Sequence, residues 1–367
     1  MNKSLVVIPS AFTEVTTDYI HQTALLLSKK HCVLVLDLTK CQKESFLKRL
    51  IQNKSLGVPI KKIGENYYQS FPLAFLPLVR FKLIQTINKH LDFIISYFYL
   101  WQKGEINFFS KKVLWIFHPW GYKQISHLLK FFPTSLLDIV DWFRISADER
   151  IFLSKVSYVF VNSHVLEKKI KKYRPDCKLV PQGFDLETFK KPVRKIKLFE
   201  NNSPVVGYVG GISKRLDYDL LYKLVSKSPQ WNFVLWGPIF DLKKKQRKIL
   251  DEILRFENVA HGSSEKKEIP SIIGSFDIGM IPYNSSQRFN QNCFPMKIFE
   301  YFYLEKPVLS TLVKELKRYK QLIKISDSAT KWKALGTELL EPHNSNAREL
   351  AIRNSWSMKV SAIINYL

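Results

Sequence analysis

The chain has 367 residues, 46% of them apolar and 14% aromatic, which is enough for two domains with substantial cores and excludes a disordered chain. Its formal charge is +25, and the excess is divided between residues 1–191 (29 Lys and Arg against 15 Asp and Glu) and the remainder (28 against 17). A basic surface of this kind attracts anionic membranes, phosphorylated lipids or nucleic acid, and charge alone does not choose among them.

The four cysteines lack the paired spacing of a metal site, which predicts a reduced, cytoplasmic setting. The N-terminus enters a strand at once and is interrupted by Pro9, so we expect no signal peptide. The longest apolar runs, near 71–79 and 91–101, are shorter than the roughly 20 residues that a spanning helix needs. No transmembrane segment is therefore expected.

Short apolar runs alternate with amphipathic helical stretches, which is the pattern of parallel sheets covered by helices. The predicted strands of the first half are 5–8, 32–37, 92–97, 113–117, 136–140, 158–162 and 178–181, with a first helix over 19–29. Residues 189–204 are charged and rich in turn formers, which indicates a linker. A second series of strands follows at 205–209, 232–236, 278–281 and 307–310. These patterns predict an α/β chain with two doubly wound domains, 1–190 and 191–353.

The most informative stretch runs from Asn292 to Thr311. Its pattern predicts a loop, then a short amphipathic helix carrying Lys297 and Glu300 one turn apart, then a buried strand that opens at Pro307. A helix N-terminus offers unpaired N–H groups and a positive dipole end, so this turn can hold a phosphate while Glu300 accepts from hydroxyl groups. That combination suits a nucleotide sugar.

The segment Phe294-Pro295-Met-Lys-Ile-Phe-Glu-Tyr, followed by Lys-Pro-Val, resembles the donor-site signature of the group 1 (family 4) glycosyltransferases. Those enzymes have the GT-B fold, in which two Rossmann-like domains face a cleft. The resemblance implies a nucleotide diphosphate sugar bound by the second domain and a surface glycan or lipid-linked acceptor bound by the first. It also implies retention at the anomeric carbon, and a last helix over 354–367 that packs back on the first domain. We expect no metal or other cofactor.

A glycine pair, Gly210 and Gly211, ends a predicted strand and precedes Lys214 and Arg215. Ligands of open α/β sheets bind outside the carboxyl ends of strands, and glycine lets the backbone approach a pyrophosphate. The spacing alone is a weak signal, and an ordinary tight turn explains it equally well. The resemblance places this loop against the donor phosphates, where Lys214 or Arg215 would neutralise the diphosphate.

In the family, the residue that corresponds to Glu300 accepts from the ribose hydroxyls. It forms a pair with a glutamate eight positions earlier, where this chain has Asn292, whose amide can bond to a sugar hydroxyl but carries no charge. Lys297 is expected to bind phosphate, with a plain surface lysine as the alternative. Asp217 and Asp219 match an Asp-x-Asp metal pattern of other glycosyltransferases, but helix capping is a sufficient explanation.

Three residues of the first domain are candidates for catalysis. His118 follows the predicted strand 113–117, and the family often has a polar residue there near the transferred sugar; a buried, merely hydrogen-bonded histidine is the alternative. Asp138 and Asp141 resemble an element of a bacterial cell-surface branch of the family. Either carboxylate could orient the acceptor hydroxyl or act as a base, and a turn-initiating aspartate is the alternative.

Basic and large apolar residues are interleaved over 48–62 and 67–101, which is typical of a membrane surface, although domain core explains many of the aromatics. No nucleic-acid-binding motif is present, so no nucleic-acid partner is expected. The sequence thus predicts a glycosyltransferase, cytoplasmic and peripheral on the inner face of the cell membrane. Two other functions stay open: a nucleotide-sugar epimerase of the same fold, and a non-catalytic basic protein that binds membrane or nucleic acid.

Overall fold

A computed structural model describes residues 3–10, 18–38, 60–70, 76, 81–117, 125–126, 128–140, 145–194, 196–341 and 346–367. The elements of the first part are β1 (Leu5–Ser10), α1 (Asp18–Leu27), β2 (Cys32–Asp37), β3 (Ile60–Gly64), β4 (Tyr67–Ser70), α2 (Lys82–Gln102), β5 (Lys112–Phe117), β6 (Thr134–Ile139), α3 (Ala147–Lys155), β7 (Tyr158–Val161), α4 (His164–Ile170), β8 (Lys178–Leu179) and α5 (Leu186–Phe189). The strands form one sheet in the order β3-β4-β2-β1-β5-β6-β7-β8. It is parallel except for β3, which runs antiparallel to β4.

A second sheet follows. Its elements are β9 (Val205–Val209), α6 (Tyr218–Ser226), β10 (Asn232–Trp236), α7 (Lys244–Ile253), β11 (Val259–Gly262), α8 (Ile269–Gly274), β12 (Ile278–Ile281), α9 (Arg288–Asn292), α10 (Lys297–Tyr303), β13 (Val308–Ser310), β14 (Ile323–Ile325), α11 (Ala329–Leu339), α12 (Ala347–Arg353) and α13 (Trp356–Ile364). The strands are parallel in the order β11-β10-β9-β12-β13-β14. This is the doubly wound order of Rossmann-like domains, so the predicted fold class is confirmed.

The predicted strand over 92–97 is wrong, because these residues lie inside α2. Phe93, Tyr97 and Leu100 are buried at spacings of four and three residues, which is the period of a helix and not of a strand. On the same side Asp92 accepts a hydrogen bond from the Ser70 hydroxyl at 3.2 Å. Burial raises the pKa of Asp92 to about 8, so this inward-facing carboxyl is protonated at neutral pH.

The chain passes between the two sheets at two places that lie side by side. The Phe184 N–H donates to the Asn354 carbonyl, and the Trp356 N–H donates to the Phe184 carbonyl, both at 3.0 Å. After the second passage α13 packs against α1 of the first sheet, and Trp356 is 2% exposed, as expected of a core anchor. The predicted domain boundary after residue 190 stays a prediction.

One further contact joins the two domains. The carboxylate of Glu315, which is 3% exposed, accepts from the backbone N–H groups of His164 and Val165 at 3.2 Å each. A carboxylate from the second domain thus caps the start of α4 in the first. Among the residues described, no helix has both the length and the apolar composition to cross a bilayer.

Candidate functional site

The site is built where the strand order of the second sheet reverses. From β9 the sheet continues through β10 and β11 to one side and through β12 to β14 to the other. β9 and β12 pair over only two residues and then separate. The Tyr301 hydroxyl fills the gap: it accepts from the Val209 N–H and lies within hydrogen-bond distance of the Met280 carbonyl, at 3.3 Å each. Ligands of open α/β sheets bind in the crevice outside such a split.

We expect Tyr301→Phe to lower the free energy of unfolding by about 1–3 kcal/mol, because the buried Val209 N–H loses its partner. Urea denaturation followed by circular dichroism measures the change. Tyr303→Phe is the control, since that hydroxyl on the same helix has no hydrogen-bond partner among the described residues. Equal losses in the two variants would show that the Tyr301 hydroxyl is not what holds the split.

Two glycines shape the turn after β9. Gly210 and Gly237 have φ angles of +138° and +144°, which side-chain-bearing residues rarely adopt. A Cβ on Gly210 would lie 3.1 Å from the Tyr208 hydroxyl and 3.3 Å from the Lys297 ammonium, and one on Gly237 would collide with the Gly210 carbonyl. Glycine at both positions therefore leaves the backbone of this turn accessible beside the Lys297 ammonium.

Lys297 is the first residue of α10, and its ammonium lies beside the glycine turn. Nζ donates to the Tyr283 hydroxyl at 2.8 Å and lies 5.1 and 5.2 Å from the ring centres of Tyr208 and Tyr283. Burial by itself lowers the pKa of Lys297, but the two tyrosine hydroxyls outweigh it and the pKa lies above its usual value. Because α10 has only seven residues, this fixed cation and not the helix dipole is the main positive feature.

Of the two adjacent cations named from the sequence, Arg215 faces the cleft. Its guanidinium lies 4.5 Å from the ring centre of Tyr283 and 4.6 Å from that of Phe289, so it is held between two aromatic faces. Lys214 turns away and pairs with Asp241 at 2.6 Å, with about half of its side chain exposed. Of the two cations, Arg215 is therefore the one that lines the cleft.

These groups line one cleft of about 520 Å³ between the two sheets. The lining residues that the sequence analysis named are Gly210, Gly211, Arg215, Phe294, Pro295, Lys297 and Glu300. From the first domain the lining includes Tyr19, Val140 and Gln182. The volume is that of a small-molecule pocket, and both domains contribute to its wall.

Glu300 and Asn292 are placed differently. Glu300 is half-buried, lies one turn after Lys297 on α10 and belongs to the cleft lining. Asn292 is the last residue of α9, does not belong to the lining, and donates its amide to the Arg288 carbonyl at 2.5 Å. The sugar-binding role of Asn292 stays a prediction that the geometry does not support.

Of the three catalytic candidates in the first domain, only Asp138 belongs to the residues that the structure describes. His118 and Asp141 lie outside the described residues. Asp138, in β6, is completely buried, and its carboxylate oxygens are 2.9 and 3.0 Å from the ammonium of Lys359 on α13. Burial raises the pKa of Asp138, and Lys359 offsets this only in part. The carboxylate therefore faces the C-terminal helix and not the cleft, which gives it a structural partner and leaves the catalytic role without geometric support.

The cleft residues that the sequence analysis did not name include Tyr283, Lys266 and Gln182. Tyr283 lies two residues after β12, at the same sheet edge as the glycine turn, so the rule about carboxyl ends of strands would have found it. Lys266 pairs with Asp185 at 2.7 Å, and Asp185 also accepts from Gln22 of α1 at 3.0 Å. No local sequence signal indicates such a contact between domains.

Asp217 caps α6, because its carboxylate accepts from the Leu220 N–H at 3.0 Å. The predicted capping role is confirmed. Over the described ranges, no group of three or more His, Cys, Asp and Glu side chains is arranged to hold a metal ion.

A larger cavity, of about 660 Å³, lies around β14 and α11 of the second domain. Among its charged residues, Lys324 pairs with Glu338 at 2.8 Å. Its lining includes neither the glycine turn nor any residue of the first domain. The cleft between the domains is therefore the stronger candidate.

No protein-family model matches the chain. A Bacillus subtilis (strain 168) protein named "Putative teichuronic acid biosynthesis glycosyltransferase TuaH" is 30% identical over 215 residues, which are 55% of this chain and 53% of that protein. The chain thus spans about half the length of the curated relative it matches.

Solved structures match the whole chain at low identity. The sucrose-phosphate synthase of Thermosynechococcus elongatus has a TM-score of 0.69 at 13% identity, over 99% of this chain and 98% of that one. A glycosyltransferase from Rickettsia africae ESF-5 has a TM-score of 0.66 at 11% identity, over 100% and 98%. The chain has the GT-B fold. The resemblance to glycosyltransferases is confirmed in outline, because a partial relative bears that name and the chain has the GT-B architecture.

Proposed function

We propose that this GT-B protein is a glycosyltransferase that moves a sugar from a nucleoside diphosphate sugar to a hydroxyl of a surface glycan or lipid-linked acceptor. The observation that carries the proposal is the convergence of Arg215, Lys297 and Glu300 in one cleft beside the glycine turn. Two fixed cations complement the charge of a diphosphate, and a carboxylate one turn away can accept from the two hydroxyls of a ribose. The name of the Bacillus subtilis relative supports a glycan acceptor.

In the proposed reaction the second domain holds the donor and the first holds the acceptor. The acceptor oxygen forms its bond to the anomeric carbon on the face from which the phosphate leaves, and the acceptor proton passes to a departing phosphate oxygen. This route retains the configuration without a side-chain nucleophile. Lys297 and Arg215 would stabilise the charge that develops on the diphosphate, so we also propose that no metal is required. An unchanged rate in the presence of a chelator would support that part.

The donor assignment is tested by binding. We expect the protein to bind a nucleoside diphosphate, and Glu300→Ala to weaken this binding at least about tenfold, because the ribose loses its acceptor. Calorimetric titration with uridine, guanosine and adenosine diphosphates measures both. Glu200→Ala is the matched control, since that carboxylate is 95% exposed and paired with Lys197 outside the cleft. If Glu300→Ala and the control bind as the wild type does, the ribose contact is wrong.

We propose a cytoplasmic location for this reaction. Cys32, Cys177 and Cys293 are buried, and none of them forms a disulfide bond within the described part of the chain, which fits a reducing compartment. Burial raises the pKa of the Cys177 thiol to about 11, so that thiol is neutral and unreactive at physiological pH.

A further inference from the structure

Helix α2 buries several polar residues beside Phe93, Tyr97 and Leu100, and it exposes large apolar residues on its outer side. The polar residues on its buried side are Asn88, Lys89, Asp92 and Ser96, each at most 7% exposed. The large apolar residues on its outer side are Leu83, Ile94, Phe98 and Trp101, which are 70%, 38%, 49% and 46% exposed. At 3.6 residues per turn these four positions share one face of the helix. An apolar face turned to water is unusual, because the outer face of a surface helix is ordinarily polar.

The apolar face continues into the loop after α2. The ring centres of Phe98 and Trp101 are 6.2 Å apart, those of Trp101 and Phe108 are 6.3 Å apart, and those of Phe108 and Phe109 are 5.5 Å apart. All three contacts are edge-on, and Phe109 is 93% exposed. We name these four residues the aromatic face. Contiguous exposed aromatic surface of this kind is typical of an interaction site.

The rim of the aromatic face is positively charged. Lys103, Lys111 and Lys112 lie in the same segment, and the Lys112 ammonium is 4.8 Å from the ring centre of Tyr97. The sole acid in residues 93–117 is Glu105, which accepts from the Tyr68 hydroxyl at 2.5 Å and pairs with Lys62. The one acid of this segment is therefore already paired.

We propose that the aromatic face docks on the surface of an anionic lipid bilayer. Tryptophan and phenylalanine side chains enter the headgroup region, while the lysines of the rim contact anionic headgroups. A long helix such as α2, with aromatic residues on its outer side and cations at one end, can lie flat on the planar surface of a bilayer. A second copy of this chain fits less well, because symmetric pairing would bring two lysine rims together. This inference does not depend on the proposed transferase activity.

The test uses co-sedimentation of the full chain with vesicles. We expect at least about tenfold stronger partitioning into vesicles of roughly seven parts phosphatidylcholine to three parts phosphatidylglycerol than into pure phosphatidylcholine. Trp101→Ser/Phe109→Ser should reduce that partitioning about tenfold or more. The matched control is Ile151→Ser/Tyr173→Ser, which removes two apolar residues of the same domain that are 49% and 42% exposed. Circular dichroism checks that each variant is folded.

A second variant keeps the proposal testable if the aromatic double variant misfolds. Lys103→Gln/Lys111→Gln removes exposed charges and should weaken binding to the mixed vesicles. Equal binding by the wild type and both double variants overturns the proposal. So does a wild-type dimer in analytical ultracentrifugation that Trp101→Ser/Phe109→Ser dissociates, with no vesicle binding in either form, because the face would then join two copies of the chain.

Discussion

Lys297→Met should weaken nucleoside diphosphate binding by about 10- to 150-fold, because a charge-assisted hydrogen bond contributes roughly 1.5–3 kcal/mol. Methionine keeps the length and the packing over Tyr208 and Tyr283 while removing the charge. Arg215→Met should act in the same direction. Calorimetric titration measures the binding, and turnover of a nucleotide sugar measures whether the loss carries into the reaction, where one stabilising donor at a developing charge is worth about 10²–10³-fold.

The adjacent lysine supplies the control. Lys214→Met removes an equal charge one residue away, but that ammonium is about half exposed and paired with Asp241. Its loss should change binding by less than about twofold, as for other surface ion pairs. A larger effect at Lys214 than at Arg215 would mean that the side chains exchange roles when the diphosphate binds.

Lys359→Met should lower the free energy of unfolding by about 3–5 kcal/mol, because it leaves the buried Asp138 carboxylate without its partner. Both side chains are at most 1% exposed, so water cannot replace the ammonium. Asp138→Leu/Lys359→Met removes both charges and should recover most of that loss. Urea denaturation of the wild type and the two variants measures the differences.

The decrease in the free energy of unfolding that Lys359→Met causes should also depend on pH. Burial raises the pKa of Asp138, and without Lys359 it rises further. The folded form of Lys359→Met then keeps a proton that the unfolded chain releases near pH 4, so stability present at low pH is lost as the pH rises. The deficit relative to the wild type should therefore be larger at about pH 8 than at about pH 5. A deficit that is constant over this range would place the damage in packing and not in the charge.

The sequence predicts the second domain more closely than the first. The strands at 205–209, 232–236 and 278–281 have the predicted bounds, because each is a continuous apolar run bounded by turn residues. The sequence pattern also predicts that Lys297 and Glu300 lie one turn apart on one helix, as they do. The choice between Lys214 and Arg215 was not, since it depends on Asp241 and on the rings of Tyr283 and Phe289, all distant in sequence.

In the first domain, local patterns conflict with the packing. The run of Ile, Tyr and Phe residues in α2 has the composition of a strand, and only the burial at helical spacing decides the structure. The sequence makes Asp138 a catalytic candidate because nothing near it in the chain indicates its structural partner. That partner, Lys359, lies 221 positions later in the chain. Contacts of that kind, which also include Glu315 with His164, have no signature in a single sequence.

The two passages of the chain between the domains are hydrogen-bonded to each other at Phe184 and Trp356. Because both lie at one place, we expect any rotation of one domain against the other to pivot there and to widen the cleft. The contact of Glu315 with the start of α4 would oppose such a rotation, since opening separates the carboxylate from the His164 and Val165 amides. If the proposed nucleotide binds in the cleft, we expect its residence time to depend on this contact as well as on the groups that touch it.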